Sequence, residues 1–103
     1  MAAYAIVDLD IFDIADYLEY QRQLRPLLEA AGGRYLVRGG EFEVIEGEYR
    51  PQRIILVEFP SMEALRDFYE SDAYRDLEKQ RKACSRAIMV AVRGVEDALA
   101  LQD

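Results

Sequence analysis

Four segments of the chain have the apolar pattern of β-strands. Residues 3–9 alternate between two sets of side chains, and residues 53–59 form a strand that is apolar on both sides. The other two predicted strands are residues 34–38, which are followed by a pair of glycines, and residues 87–92. A short extension at residues 42–47 is predicted to continue the ribbon after the second strand.

Two helical regions separate these strands. The first is predicted to begin with a cap at Asp13, three residues before Asp16, and to end at Gly32, which can adopt a positive φ. Pro26 lies inside this pattern and is expected to kink the helix or shift its hydrogen bonds. The positions that recur at helical spacing are Tyr17, Leu18, Gln21, Leu24, Leu28 and Ala31.

The second helical region begins after Pro60, with Ser61 as its cap. Residues 71–72 are expected to break it, and a second helical segment follows as far as Arg81, with a charged pattern over residues 75–86 typical of a solvated face. The tail, residues 95–103, is predicted to be short and amphipathic. The apolar face of the helix that follows Ser61 carries Met62, Leu65, Phe68 and Tyr69.

The order β-α-β-β-α-β predicts an α+β fold, the ferredoxin-like sandwich, as a single domain over residues 1–103. Its four-stranded antiparallel sheet has the strand order 4-1-3-2, and the helices cover one face. The two central strands are nevertheless apolar on both faces. The uncovered face exposes Ile6, Ile54, Leu56, Ile88 and Val90, so we expect a homodimer through the sheet face.

Composition and charge exclude several classes of protein. A net charge of −7 with scattered arginines argues against nucleic acid and anionic membranes as partners. No apolar run reaches the length of a membrane span, and the first residues lack the basic start of a signal peptide. A single cysteine, Cys84, suits a reducing compartment, so a cytoplasmic location is expected.

The absence of histidine narrows the chemistry further. It excludes Ser-His and Cys-His nucleophiles, zinc sites of the usual Cys/His type and a histidine-ligated haem. No glycine-rich nucleotide loop occurs either. We therefore predict no metal and no cofactor, and proton chemistry falls to carboxylates, tyrosines, arginines, lysines and one thiol.

The chain resembles the dimeric α+β barrel superfamily and, within it, the family called domain of unknown function thirteen-thirty. The resemblance is carried by Asp8 and by three segments that cover most of the chain: GGRYLVRGG at 32–40, EVIEGEYRPQRIILVEFPS at 43–61 and SDAYRDLEKQR at 71–81. It implies a dimeric barrel and an activity like those of cofactor-free monooxygenases or small isomerases. Haem-degrading members need a histidine ligand that this chain lacks.

Asp8 and Glu58 are the candidate catalytic residues. Because side chains alternate between the two faces of a strand, both are expected to project from the uncovered sheet face. Strand pairing places Glu58 beside Tyr4, where burial would tune its pKa. Asp8 falls near Arg38 and Arg53 and is more easily explained as an ion pair. The alternative is that both carboxylates rim the dimer interface and pair across it.

The candidate ligand-binding residues are arginines and tyrosines. Arg38 and Arg53 could hold an anionic substrate, although edge arginines often face water. Tyr17 and Tyr4 could donate a hydroxyl to a ligand, while core packing is the structural alternative. Further candidates are Tyr35 and Tyr69 as cavity-lining side chains, Tyr49 as a lid, and Cys84, whose cationic neighbours would lower its pKa unless it is simply a packing residue.

Two functions follow from these features. The first is a small-molecule-binding protein or cofactor-free enzyme, isomerase or monooxygenase-like, with its site inside the barrel. The second is a non-catalytic dimeric module for ligand sensing or an accessory role. An open cavity of several hundred Å³ that exposes Glu58 or Asp8 would favour the first, and a plugged interior the second.

Overall fold

The computed structural model describes residues 1–95. The tail predicted to be amphipathic lies, apart from Val95, outside the described residues. The order of elements confirms the βαββαβ prediction, with the second helix divided in two. The elements are β1 (Ala3–Ile11), α1 (Ile14–Ala30), β2 (Arg34–Arg38), β3 (Ile54–Phe59), α2 (Met62–Glu70), α3 (Asp72–Cys84) and β4 (Ser85–Arg93).

The sheet has the predicted strand order, β2-β3-β1-β4, and every pairing is antiparallel. The register is also as predicted, since Ile6 pairs with Leu56 and Asp8 pairs with Ile54. β1 and β4 are longer than expected because their ends pair with each other, Ile11 with Ser85. Alternate residues of β1 therefore face the helices, and the others face away from them.

Short polar side chains begin each helix. The Asp13 carboxylate accepts a hydrogen bond of 3.2 Å from the amide of Asp16, as the cap at the start of α1 requires. Ser61 and Ser71 cap α2 and α3 in the same way. The Ser71 hydroxyl also donates to a carbonyl of the last turn of α2, so one residue ends a helix and begins the next. No helix within residues 1–95 has the length and apolar character that crossing a membrane requires.

The connection between β2 and β3, residues 39–53, is an extended arm without regular secondary structure. The prediction that residues 42–47 continue the ribbon was wrong. Gly39 has a φ of +74°, which turns the chain away from the ladder immediately after β2. Beyond that turn the apolar side chains have nothing to pack against, and Ile45 is 91 % exposed.

The hydrophobic core lies between the helices and one face of the sheet. Ala5, Val7 and Leu9 of β1 contribute to it, together with an aromatic group from β3, α2 and α3. The opposite sheet face is uncovered, and on β4 Ile88 is 67 % exposed and Val90 is 56 % exposed. The apolar open face expected from the sequence is therefore present. The aromatic group comprises Phe59, Phe68, Tyr69 and Tyr74.

Candidate functional site

The sheet divides the residues that the sequence analysis nominated into two groups. Tyr4, Asp8 and Glu58 lie on the open face, as parity required. Tyr17 is buried on the helix side, where Arg53 is close enough to influence its pKa. The candidate residues therefore do not form one site.

Glu58 is held by two side chains on the open face. The Tyr4 hydroxyl donates to its Oε2 at 3.3 Å, and Arg34 Nε donates to its Oε1 at 2.6 Å. The neighbour Tyr4 was predicted, whereas Arg34 was missed. The signal was present in the strand register, because Arg34 stands directly opposite Glu58 in the β2–β3 pairing.

Asp8 anchors the arm. Its carboxylate accepts hydrogen bonds from the Tyr49 hydroxyl and from the amides of Gln52 and Arg53, at 2.9 and 3.2 Å for the amides. The hydrogen bond from Tyr49, assisted by these amides, lowers the pKa of Asp8. The expected ion pair with Arg38 or Arg53 is absent among residues 1–95, because both arginine side chains lie on the helix side of the sheet and Asp8 lies on the open side.

The two predicted anion-binding arginines have structural contacts on the helix side. Arg38 places its guanidinium carbon 5.4 Å from the ring centre of Tyr35, a cation–π distance. Arg53 packs against Gly39 so closely that a Cβ there would lie 2.5 Å from its Nε. That Nε is buried and has no hydrogen-bond partner within residues 1–95.

A groove of about 350 Å³ lies between α2, α3 and β4. Its floor is apolar, with Ala5 and Met89, and its rim is charged. Val90, which faces the open side of the sheet, lines the outer edge of the groove. A separate cavity of about 40 Å³ lies deeper, between the sheet and α1. Neither Glu58 nor Asp8 lines the groove or this inner cavity, so the predicted catalytic carboxylates lie outside both. The remaining groove residues are Leu65, Arg66, Tyr69, Glu70, Tyr74, Arg75, Glu78 and Ala91.

One face of α3 supplies the polar groups of this region. Arg81 is 6 % exposed, its Nε donates to the Tyr74 hydroxyl at 3.4 Å, and its Nη2 lies 3.6 Å from Glu78 Oε2. Arg75 and Lys82 each place a nitrogen 3.7 Å from Glu78 Oε1. The prediction that residues 75–86 form a solvated face was therefore wrong for Arg81, which is buried and donates to the Tyr74 hydroxyl.

Burial keeps the phenols of this region neutral. It raises the pKa of Tyr17 to about 12. Burial also raises the pKa of Tyr69, Tyr20 and Tyr35 above the ordinary tyrosine value. A neutral phenol remains a hydrogen-bond donor at physiological pH. Sequence reasoning considered Tyr69 as a cavity-lining residue but missed Tyr74, Glu78 and Arg81, although their spacing of four and three residues places them on one helix face.

Cys84 is the last residue of α3 and is fully buried. Burial raises the pKa of its thiol, so the cationic neighbours in sequence do not activate it. The packing role offered as the alternative is the one that the structure supports. Among residues 1–95, no three side chains of the usual acidic or sulfur ligand types come together where they could hold a metal ion.

Comparisons with known proteins agree with this architecture. Residues 2–95 match the family described as "Domain of unknown function (DUF1330)". No curated protein matches the chain significantly. A protein of unknown function from Rhodopseudomonas palustris has a similar structure, with a TM-score of 0.75 and 17 % identity over 92 % of this chain and 83 % of that one.

Two further solved structures share the fold. A dimeric ferredoxin-like protein of unknown function from Jannaschia sp. CCS1 has a TM-score of 0.67 and 15 % identity, covering 91 % of this chain and all (100 %) of that one. SnoaB, a cofactor-independent oxygenase from Streptomyces nogalater, has a TM-score of 0.64 and 6 % identity, covering 92 % of this chain and 94 % of that one. At these identities the similarity establishes the ferredoxin-like fold.

Proposed function

Since the chain belongs to the DUF1330 family of domains of unknown function, whose fold does not by itself assign an activity, we propose the function from its groove. The protein binds a small, largely apolar carbonyl compound there and acts on it as a cofactor-free enzyme. One observation carries the proposal: the groove brings a carboxylate, Glu78, and two phenols, Tyr69 and Tyr74, to one apolar concavity.

The chemistry of these groups suits proton transfer next to a carbonyl. The Glu78 carboxylate acts as a general base and removes a proton from the carbon beside the carbonyl. The developing negative charge moves to the carbonyl oxygen, which accepts hydrogen bonds from the phenols of Tyr69 and Tyr74. Arg81, which donates to the Tyr74 hydroxyl, polarises that phenol and strengthens the hydrogen bond.

The resulting enolate has two possible fates, and they define the two reaction classes. Return of the proton to a different carbon gives an isomerase. Attack of the enolate carbon on dioxygen forms a carbon–oxygen bond and, after protonation, a hydroperoxide. Cleavage of its O–O bond with loss of water leaves a new carbonyl at that carbon, so the second oxygen atom leaves as water. This is a monooxygenase-like activity, and the shared fold of the cofactor-independent oxygenase SnoaB supports that class. Both begin with the same proton transfer, so one experiment tests both.

We also propose that the protein is a homodimer through the open sheet face. The support is the exposed apolar surface of β4 and the dimeric Jannaschia protein of the same fold. In this arrangement Glu58, Tyr4 and Arg34 lie at the interface, away from the groove. The assignment of Glu58 and Asp8 as catalytic residues remains a prediction. It would place the active site on the open sheet face instead of in the groove.

The test uses 2-tetralone, a small bicyclic ketone with an acidic hydrogen beside its carbonyl. We expect the protein to accelerate the exchange of that hydrogen for deuterium in D₂O, followed by ¹H NMR. Oxygen uptake, measured with an electrode in the same mixture, separates the monooxygenase-like fate from isomerisation. Titration of ¹⁵N-labelled protein should shift the amides of the groove and leave those of the open face unchanged.

The Glu78→Gln variant is the decisive one, since it keeps the size of the side chain and removes the base. It should bind 2-tetralone and lose the accelerated exchange. Glu70→Gln, at the rim of the same groove, is the matched control and should retain it. Binding without exchange in the wild type would identify a non-catalytic ligand-binding module, and no binding at the groove would overturn the proposed site.

A further inference from the structure

The groove and the inner cavity are separated by a thin partition. Tyr69, Tyr74 and Met89 line both spaces, so each of these side chains has the groove on one side and the cavity on the other. Two of them are aromatic residues packed edge to face, with ring centres 4.9 Å apart. Met89 lacks such a rigid partner and is the adaptable member of the partition.

The position of Met89 on the sheet supports this role. It lies on β4, an edge strand with β1 as its neighbour, and it pairs with Val7, which itself lines the inner cavity. A methionine side chain has three rotatable bonds and no branch, so it fills irregular space and repacks more readily than other apolar residues. It is half-buried against the core.

The inner cavity has the size of a single small group. Its volume of about 40 Å³ is above the roughly 10–15 Å³ that a cavity needs to hold one water. It is surrounded mostly by aliphatic and aromatic side chains, an environment that favours an apolar group over water. A methyl group directed at the partition fits in front of it, whereas a longer chain meets Met89 and cannot enter the space beyond.

We propose that Met89 is the specificity-determining residue of the groove and limits the ligand to a small apolar group on the far side of its carbonyl. This inference rests on the proposed function, because the phenols of Tyr69 and Tyr74 must hold the carbonyl at the partition. The substrate class is then a ketone with a short substituent at that end, such as a methyl group or the two-carbon ring bridge of 2-tetralone. Shortening Met89 joins the two spaces and removes the limit.

Two isomeric ketones test the inference without a change in composition. 2-Heptanone has a methyl group beyond its carbonyl, and 4-heptanone has a propyl group. Titrations of ¹⁵N-labelled protein should show that the wild type binds 2-heptanone about tenfold more tightly, the discrimination typical of a poorly fitting apolar group. In Met89→Ala the ratio of the two dissociation constants should fall close to one, and in Met89→Leu, of similar volume, it should be preserved.

Met62→Ala is the matched control, because Met62 is also a half-buried methionine of the core but lines neither space. It should leave the ratio unchanged. Met89→Val provides a second, strand-compatible truncation if Met89→Ala does not fold. An unchanged ratio in the folded truncations, or an equal change in Met62→Ala, overturns the role of Met89 while the groove stands. Failure of both ketones to bind the wild type overturns the groove and the inference together.

Discussion

The Arg81 guanidinium donates a hydrogen bond to the Tyr74 hydroxyl, with its Nε 3.4 Å from the phenol oxygen, and both side chains are at least nine-tenths buried. A buried cation needs hydrogen-bond acceptors, and the phenol oxygen and the Glu78 carboxylate are those available on this helix. The hydrogen bond is therefore part of the stability of the core as well as of the groove. Its two roles can be measured separately.

The stability role predicts coupling between the two residues. Tyr74→Phe should lower the free energy of unfolding by about 1 kcal/mol, the usual value of such a hydrogen bond. Arg81→Met should also destabilise the protein, and the double variant should lose less than the sum because the shared bond is lost once. Urea denaturation measures all three. Arg75→Met, an exposed arginine of the same helix, should change stability by less than about 0.5 kcal/mol; additive losses at Tyr74 and Arg81 would contradict the coupling.

The open sheet face predicts the oligomeric state. Ile88→Glu places a charge in the proposed interface and should convert the dimer to a folded monomer, because an unpaired charge is costly to bury between two sheets. Light scattering at micromolar concentration measures the mass. Ile14→Glu is the control, since Ile14 is similarly exposed but lies at the start of α1. A wild-type protein of monomer mass would refute the dimer.

Asp8 predicts a loss of stability in acid. Its pKa in the folded protein is lower than the ordinary value of 3.8, because the Tyr49 hydroxyl and backbone amides bind the ionised form. The folded state therefore binds fewer protons than the unfolded state near that pH. The stabilisation is present above about pH 4 and is lost as the pH falls through and below the folded pKa.

Asp8→Asn should remove this part of the acid sensitivity, measured by thermal unfolding between pH 5 and pH 2. The amides of Gln52 and Arg53 should also exchange faster with solvent, since they lose their acceptor. Asp10→Asn, two residues along the same strand, serves as the control. Equal acid profiles for Asp8→Asn and the wild type would show that Asp8 does not anchor the arm.

A substitution of Glu58 distinguishes between the two candidate sites, the open sheet face and the groove. Glu58→Gln should leave the exchange of 2-tetralone intact and should reduce stability by less than about 1 kcal/mol, because its partner Arg34 is largely exposed. The comparison with Glu78→Gln is direct, since both are carboxylate-to-amide changes. Loss of exchange in a dimeric Glu58→Gln variant would return the catalytic site to the open face.

The burial of Cys84 predicts that its thiol reacts slowly with disulfide reagents. The side chain is buried and its pKa is raised, so a disulfide reagent such as 5,5′-dithiobis(2-nitrobenzoic acid) should react with the native protein only when α3 opens. Reaction in urea should be complete within the mixing time of a manual assay. Ala83→Cys in a Cys84→Ala background moves the thiol to an exposed neighbour and should react rapidly without denaturant.

The fold was predictable because its signals are local and mutually consistent. The alternation in β1, the caps at Asp13 and Ser61 and the glycine at the end of α1 each specify a nearby element, and one topology accommodates them all. The failed prediction was the ribbon over residues 42–47. Its alternation resembled a strand, but the turn at Gly39 and the hydrogen bonds to Asp8 depend on residues distant in sequence.

The candidate site was less predictable because it depends on contacts between residues that are distant in sequence. Parity placed Tyr4, Asp8 and Glu58 correctly on one face, because the strand register follows from the apolar pattern. The groove depends instead on how α3 packs against β4, and a charged helix pattern does not reveal which arginine is buried. Arg81 is buried and Arg75 is exposed, although both belong to the same charged stretch of α3.

Neighbouring residues of β1 lie on opposite faces of the sheet and make unrelated contacts. Val7 lines the inner cavity, and Asp8, the next residue, anchors the arm on the opposite face. A one-residue slip in the register of β1 would exchange these environments and disable both, so the strand tolerates no insertion. Substitutions at alternate positions, by contrast, reach one face at a time. The inner cavity and the open sheet face can therefore be altered independently within a single strand.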